Sequence, residues 1–112
     1  MLESTYWMRT LGRFPVYIYK LTDPRGFDLC YVGRSKNPLQ RLRHHLAYPS
    51  RNERLHDWIM DLKRNGLKPV LSLLDTCEVA ESNQAELDCI AAIRAIRGYA
   101  CLNIQTVREK RI

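Results

Sequence analysis

From residue 15 to residue 22 the chain alternates with a period of two, Val16, Ile18 and Lys20 on one side and Tyr17, Tyr19 and Leu21 on the other. β-branched and aromatic side chains dominate the stretch, which predicts a strand. Asp23-Pro24-Arg25-Gly26 has the chemistry of a turn, and residues 28 to 34 predict the returning strand of a hairpin. The period then lengthens. Asn37 can cap free amides and Pro38 suits a first helical position, so a helix opens there, with Leu39, Leu42 and Leu46 as its buried stripe and Pro49 as its end. Ser50 with Glu53 three residues on reads as a capping box for a second helix, whose stripe is Leu55, Trp58, Ile59 and Leu62. Asn65-Gly66 stops that helix. Lys68 to Thr76 predicts a third strand, and a third helix runs from about Ser82 to Arg97, with Gly98 beyond its end.

The order is β-β-α-α-β-α followed by a short tail, which is the order of an α+β domain with helices covering a small antiparallel or mixed sheet. At 112 residues the chain holds one domain with a modest core. No apolar run is long enough to span a bilayer. The opening Met1-Leu2-Glu3-Ser4-Thr5-Tyr6-Trp7 lacks the basic-then-apolar order of a signal peptide. Cys30, Cys77, Cys89 and Cys101 are dispersed among apolar residues, a pattern expected of reduced thiols in a cytoplasmic protein and spaced unlike zinc ligands.

Charge narrows the class of partner. The net charge is +6, and residues 9 to 68 hold thirteen Lys and Arg against five Asp and Glu. From residue 69 onward the count is five against six. A field concentrated in one half favours a polyanion, although a solvated basic face would have the same composition.

The residues able to do chemistry lie in that basic half. Tyr17 and Tyr19 share a strand face, and Tyr31 on the partner strand can join them. Phenols beside cations are expected to ionise more easily and to serve as a base or proton relay. Gly33 lets a neighbour approach closely, and Arg34 and Lys36 lead into a helix start that favours anions. Arg41 and His45, four apart, lie on one helix face. On the third helix Glu86 shares its stripe with Cys89, Ile90 and Ile93, while Asp88 turns away. A carboxylate on a covered face needs a cation, either an arginine or a metal ion.

Together Tyr31-Val32-Gly33, Arg41 ten residues after that tyrosine, His45 one helical turn later and the basic Arg34 resemble the signature of the GIY-YIG nucleases. Trp58-Ile59 with Leu62 and Gly66, then Ala85-Glu86 and Leu102-Asn103, are similar to the family's later motifs, so the resemblance runs from about Val16 to Asn103, the core (about 14 to 104) of one GIY-YIG-like domain of the phage or bacterial type. The first motif departs from the pattern. Aligning Tyr17-Ile18-Tyr19 puts Tyr17 where glycine is usual and makes Tyr19 the catalytic phenol; aligning Pro15-Val16-Tyr17 chooses Tyr17 instead. Spacing to the Asp-Pro turn and to Tyr31 favours Tyr19.

The resemblance implies a central three-stranded antiparallel sheet and metal-dependent hydrolysis of DNA phosphodiesters, leaving a 5′-phosphate and a 3′-hydroxyl. It implies Tyr19 as general base helped by Tyr31, Arg41 and Arg34 on the phosphate charge, and His45 orienting or relaying a proton. Glu86 would be the ligand of one Mg²⁺ (or Mn²⁺) per site. Gly33 and Asn103 would be structural beside the site, and Lys36, Arg43 and His44 would meet the nucleic-acid backbone. The alternative is a nucleic-acid-binding module of the same fold without turnover.

Overall fold

The computed structural model describes residues 15–96 and 100–103 of the chain. The expected hairpin is present as β1 (Val16–Thr22) and β2 (Leu29–Ser35), antiparallel, with Tyr19 opposite Gly33 and Leu21 opposite Tyr31. After it come α1 (Pro38–Ala47), α2 (Glu53–Arg64), β3 (Val70–Cys77), α3 (Val79–Arg94) and the two-residue β4 (Ala100–Cys101). No helix among the described residues is long and apolar enough to cross a membrane.

The sheet is α+β as expected but larger than the three-stranded antiparallel one. Among the described residues four strands run in the order β3-β1-β2-β4, and β4 lies parallel to β2, so the sheet is mixed. Two residues carry no readable periodicity. What establishes β4 is its pairing with the hairpin: the Ala100 amide donates to the Asp28 carbonyl and the Leu102 amide to the Cys30 carbonyl, each at 2.8 Å.

Alternation along β1 and β2 sends residues to two separate cores. Ile18, Cys30 and Val32 meet Leu87, Ile90 and Ile93 of α3 on one face. Tyr19 and Leu21 meet Leu55, Trp58, Ile59 and Leu62 of α2 on the other. Helices therefore cover both faces of β1 and β2, and α1 sits against the second face through the half-buried Leu42 and Leu46. Leu39, expected in the buried stripe of α1, is 51 % exposed. The first turn of α1 projects past the core, and α1 has no fully buried residue.

Two helix starts differ from the sequence reading. Asn52, not Ser50, caps α2: its Oδ1 accepts from the Leu55 amide at 3.1 Å, while Ser50 Oγ accepts from the Asn52 amide. α3 begins at Val79 rather than near Ser82, and its cap residue Glu78 makes no capping bond through its side chain. Asn37 caps α1 as expected. Edge strand β3 carries a bulge opposite Ile18 and Tyr19, where Leu74 is the extra residue. Bulges twist an edge away from further pairing, which suits a strand whose Leu73 is 59 % exposed.

A polar lock closes the far end of the hairpin. The buried Asp23 carboxylate accepts from the Arg25 amide, Nε and Nη2 and, at 2.8 Å, from Trp58 Nε1. The Arg25 bonds, helped by Trp58, hold the Asp23 carboxyl well below the ordinary carboxylate range. Asp23→Ala is expected to cost about 2 kcal/mol at neutral pH, because the buried Trp58 N–H loses its acceptor. The difference from wild type should shrink as pH falls below the ordinary aspartate value of 3.8, since a depressed carboxyl contributes stability only while ionised. Urea titrations across that range measure it.

Candidate active site

A polar cavity of about 240 Å³ opens beside the hairpin, lined by Tyr19, Tyr31, Gly33, Arg34, Arg41, Asn83 and Glu86. Four separate elements deliver these groups: β1, β2, α1 and α3. Tyr19, Tyr31 and Gly33 share one face because Tyr19 pairs with Gly33 and Leu21 with Tyr31. Gly33 is required there by space rather than by its backbone angles. A Cβ at this position would overlap the phenol of Tyr19, which lies across the strand.

Tyr19 is 1 % exposed. Its hydroxyl shares a hydrogen bond with His45, Oη to Nε2 at 3.2 Å, and the His45 ring meets Tyr31 edge-on at 5.5 Å. Burial, then repulsion from Arg41 and His44, lowers the imidazole to about 4. His45 is thus neutral at pH 7, and Nε2 accepts the phenolic proton when Nδ1 carries the ring hydrogen. The phenols do not behave as their cationic neighbours suggested. Burial raises both, Tyr31 adding to the rise at Tyr19 and Glu86 to that at Tyr31, while Arg41 offsets only part. Desolvation outweighs the single cation.

Glu86 is 6 % exposed on α3 and is the one carboxylate among the lining residues. Its Oε1 lies 3.4 Å from Arg34 Nε. Burial raises the carboxyl and Arg34 partly reverses that. Arg34 is positioned in turn: its Nη1 donates to Ser82 Oγ at 2.8 Å, and the Ser82 hydroxyl donates to the Val79 carbonyl. Asp88 points outward to Gln84, as its helical position predicted. Ser82 and Asn83 were not singled out in the sequence, yet they sit four and three residues before Glu86, the spacing that places helix neighbours together.

Among the expected residues, Tyr19, Tyr31, Gly33, Arg34, Arg41 and Glu86 come together around the cavity, and His45 joins through Tyr19. Tyr17 is half-buried on the same strand and does not line the cavity. Lys36 and Arg43 are exposed and lie outside the lining. His44 lines a second polar cavity, of about 430 Å³, with Ser35, Asn37, Gln40 and Arg41. Asn103 is structural: its Oδ1 accepts from the Val32 amide at 2.8 Å and its Nδ2 donates to the Val32 carbonyl, extending the β4 pairing with a side chain. Arg94 Nη2 holds the Asn103 carbonyl at 2.6 Å, and Asn52 Nδ2 holds that of Leu102 at 2.7 Å.

Among the described residues no group of three or more His, Cys, Asp or Glu could hold a metal ion. The donor set fits a different kind of site. One buried carboxylate with a single long ion pair, facing a polar cavity, suits a hard cation that keeps most of its water. Comparison of the chain with protein-family models, with curated proteins and with solved structures yields no match.

Proposed function

We propose that the chain is a metal-dependent endonuclease of the GIY-YIG kind, hydrolysing phosphodiester bonds in DNA. The observation that carries this reading is the convergence of two phenols, two guanidinium groups and one buried carboxylate on a single polar cavity. Few reactions need that set. Guanidinium groups match phosphate oxygens, and a phenol bonded to a neutral imidazole forms a path for a proton.

In this reading the scissile phosphate enters the cavity between Arg34 and Arg41. The Arg41 side chain makes no hydrogen bond or ion pair among the described residues, its amide being bonded to the Asn37 carbonyl, and it is able to turn onto the phosphate. Water attacks phosphorus in line. As its O–H breaks, the proton passes to Tyr19 Oη while the phenolic proton passes to His45 Nε2, leaving an imidazolium whose charge the bound phosphate offsets against the burial and Arg41 repulsion that disfavour it. This coupled transfer suits a phenol whose acidity is suppressed by burial, since Tyr19 never has to exist as a free phenolate. Tyr31 orients the His45 ring. Glu86 would hold one Mg²⁺ (or Mn²⁺), which supplies charge stabilisation for the leaving 3′-oxygen when bound.

A second reading, a nucleic-acid-binding module without turnover, is favoured by one observation: Arg34 already occupies part of Glu86. Plasmid DNA with Mg²⁺ separates the two. Nicking that EDTA abolishes supports the nuclease; binding that survives EDTA, with no cutting at any Mg²⁺ concentration, supports the module.

Either way, affinity for DNA should depend strongly on salt and weakly on sequence, because the charge is concentrated in residues 9 to 68 and most such contacts are to the backbone. Filter binding should show a loss of about a hundredfold for a roughly fourfold rise in salt, the slope of a protein that neutralises about four phosphates. A steep sequence preference that ignores salt would contradict this.

A further inference from the structure

Helix α1 exposes a stripe of which the cleavage reading uses only Arg41. Asn37, Arg41, His44 and Tyr48 follow one another at steps of four, three and four, so they line a single side of the helix and its C-terminal cap. The stripe touches the cleavage cavity at Arg41, which forms a wall of both that cavity and the larger one containing His44. It ends on an aromatic pair: the His44 and Tyr48 rings lie 4.9 Å apart, and Tyr48 is 61 % exposed. Tyr48 is the most exposed large hydrophobic side chain among the described residues. No acidic residue occurs anywhere in α1.

A buried aromatic ring is explained by packing, but this one is mostly exposed, with the His44 ring beside it. Much of its surface is open, its helix carries Arg41 and Arg43 and no acidic residue, and it stands two turns along that helix from Arg41, where the cleavage reading places the phosphate. Aromatic faces next to a cationic track are how proteins hold unpaired bases, because every base has a π-face to stack. We infer that the His44–Tyr48 pair is a stacking platform for an unpaired nucleotide beside the phosphate on Arg41, so that the preferred nucleic acid is single-stranded or locally unpaired rather than a continuous duplex. The inference deepens the cleavage reading by naming the form of the substrate. The larger cavity, lined by Ser35, Asn37, Gln40, Arg41 and His44, gives room for the sugar and phosphate that link the stacked base to that site.

The test uses the full-length protein in EDTA, so that binding is read without cutting. The probes are 2-aminopurine oligonucleotides of equal length: a single strand, a duplex with one unpaired 2-aminopurine, and a fully paired duplex. Wild type should quench the unpaired base and bind both unpaired probes about tenfold more tightly than the paired duplex. Tyr48→Ala and Tyr48→Leu should lose the quenching and that tenfold preference, whereas Tyr48→Phe should keep both. Heparin, which offers charge without bases, should bind all four proteins alike. Equal affinity for paired and unpaired probes, or a Tyr48→Leu protein that quenches like wild type, would overturn the platform. So would a loss of heparin binding in parallel with oligonucleotide binding, which would mark Tyr48 as a support for the basic surface or the site of a protein contact. Cleavage assays with Mg²⁺ keep the two ideas apart. Quenching without cutting removes the nuclease reading and leaves the platform, and cutting of paired duplex that Tyr48→Leu does not alter does the reverse.

Discussion

Glu86→Gln is expected to abolish Mg²⁺-dependent cleavage, by about a thousandfold or more, while leaving the fold and DNA binding nearly intact. Glutamine keeps the volume of the side chain, so the packing of α3 against β1 and β2 should hold. What disappears is the only carboxylate lining the cavity among the described residues. A hard cation held by one carboxylate loses most of its affinity with that charge, and the stabilisation of the leaving oxygen goes with it; several kcal/mol at the barrier is a thousandfold or more in rate. The ion pair with Arg34 makes a competing account possible, in which Glu86 serves only to neutralise an arginine. That account predicts cleavage that survives the substitution and a melting temperature that Mg²⁺ does not raise even in wild type. Arg34 is 41 % exposed and keeps its bond to Ser82, so breaking a 3.4 Å contact to it should cost little stability. Melting curves with and without Mg²⁺ then decide. Metal should raise the melting temperature of wild type and not of the variant. A Glu86→Gln protein that still cuts DNA at the wild-type rate removes the metal-ligand assignment.

The second large effect is expected at Tyr19. Tyr19→Phe should lower turnover by about a hundredfold to a thousandfold with little change in DNA affinity, because a phenyl ring fits the same space against Gly33 but cannot pass a proton. Tyr17→Phe should stay within about threefold of wild type, since Tyr17 does not line the cavity. Single-turnover cleavage with both variants, alongside filter binding, measures the difference. A larger loss at Tyr17 would assign the proton transfer to that residue, and equal mild losses would remove tyrosine from the chemistry altogether.

The hairpin and all three described helices were legible because each carries local chemistry: Val16 to Leu21 alternate, Asn37-Pro38 caps and starts a helix, and Leu55, Trp58, Ile59 and Leu62 repeat at helical spacing. Glu86 was legible for the same reason, as a charged residue inside an apolar stripe. The misses share a cause of the opposite kind. Nothing local marks Val79 as a helix start when Glu78 makes no side-chain cap. Ser50 and Asn52 are both good caps, and the choice between them is made by a residue far along the chain, since the Asn52 amide group also reaches the Leu102 carbonyl. β4 is invisible because its two residues are ordered by what they pair with. The direction of the Tyr19 shift could not be read because a tyrosine beside arginines looks the same in sequence whether it is buried or wet, and here burial dominates.

The clamp of Asn103 on Val32 joins positions 71 apart, and this sets an order in time. A chain emerging from a ribosome makes every lining residue of the cavity, from Tyr19 to Glu86, well before it makes the side chain that ties down the strand between Tyr31 and Gly33. Until then the Val32 amide and carbonyl have no partner on that edge, and β2 is held from one side alone, by its ladder with β1. That edge of β2 is therefore completed late in synthesis, once residue 103 has folded back onto Val32.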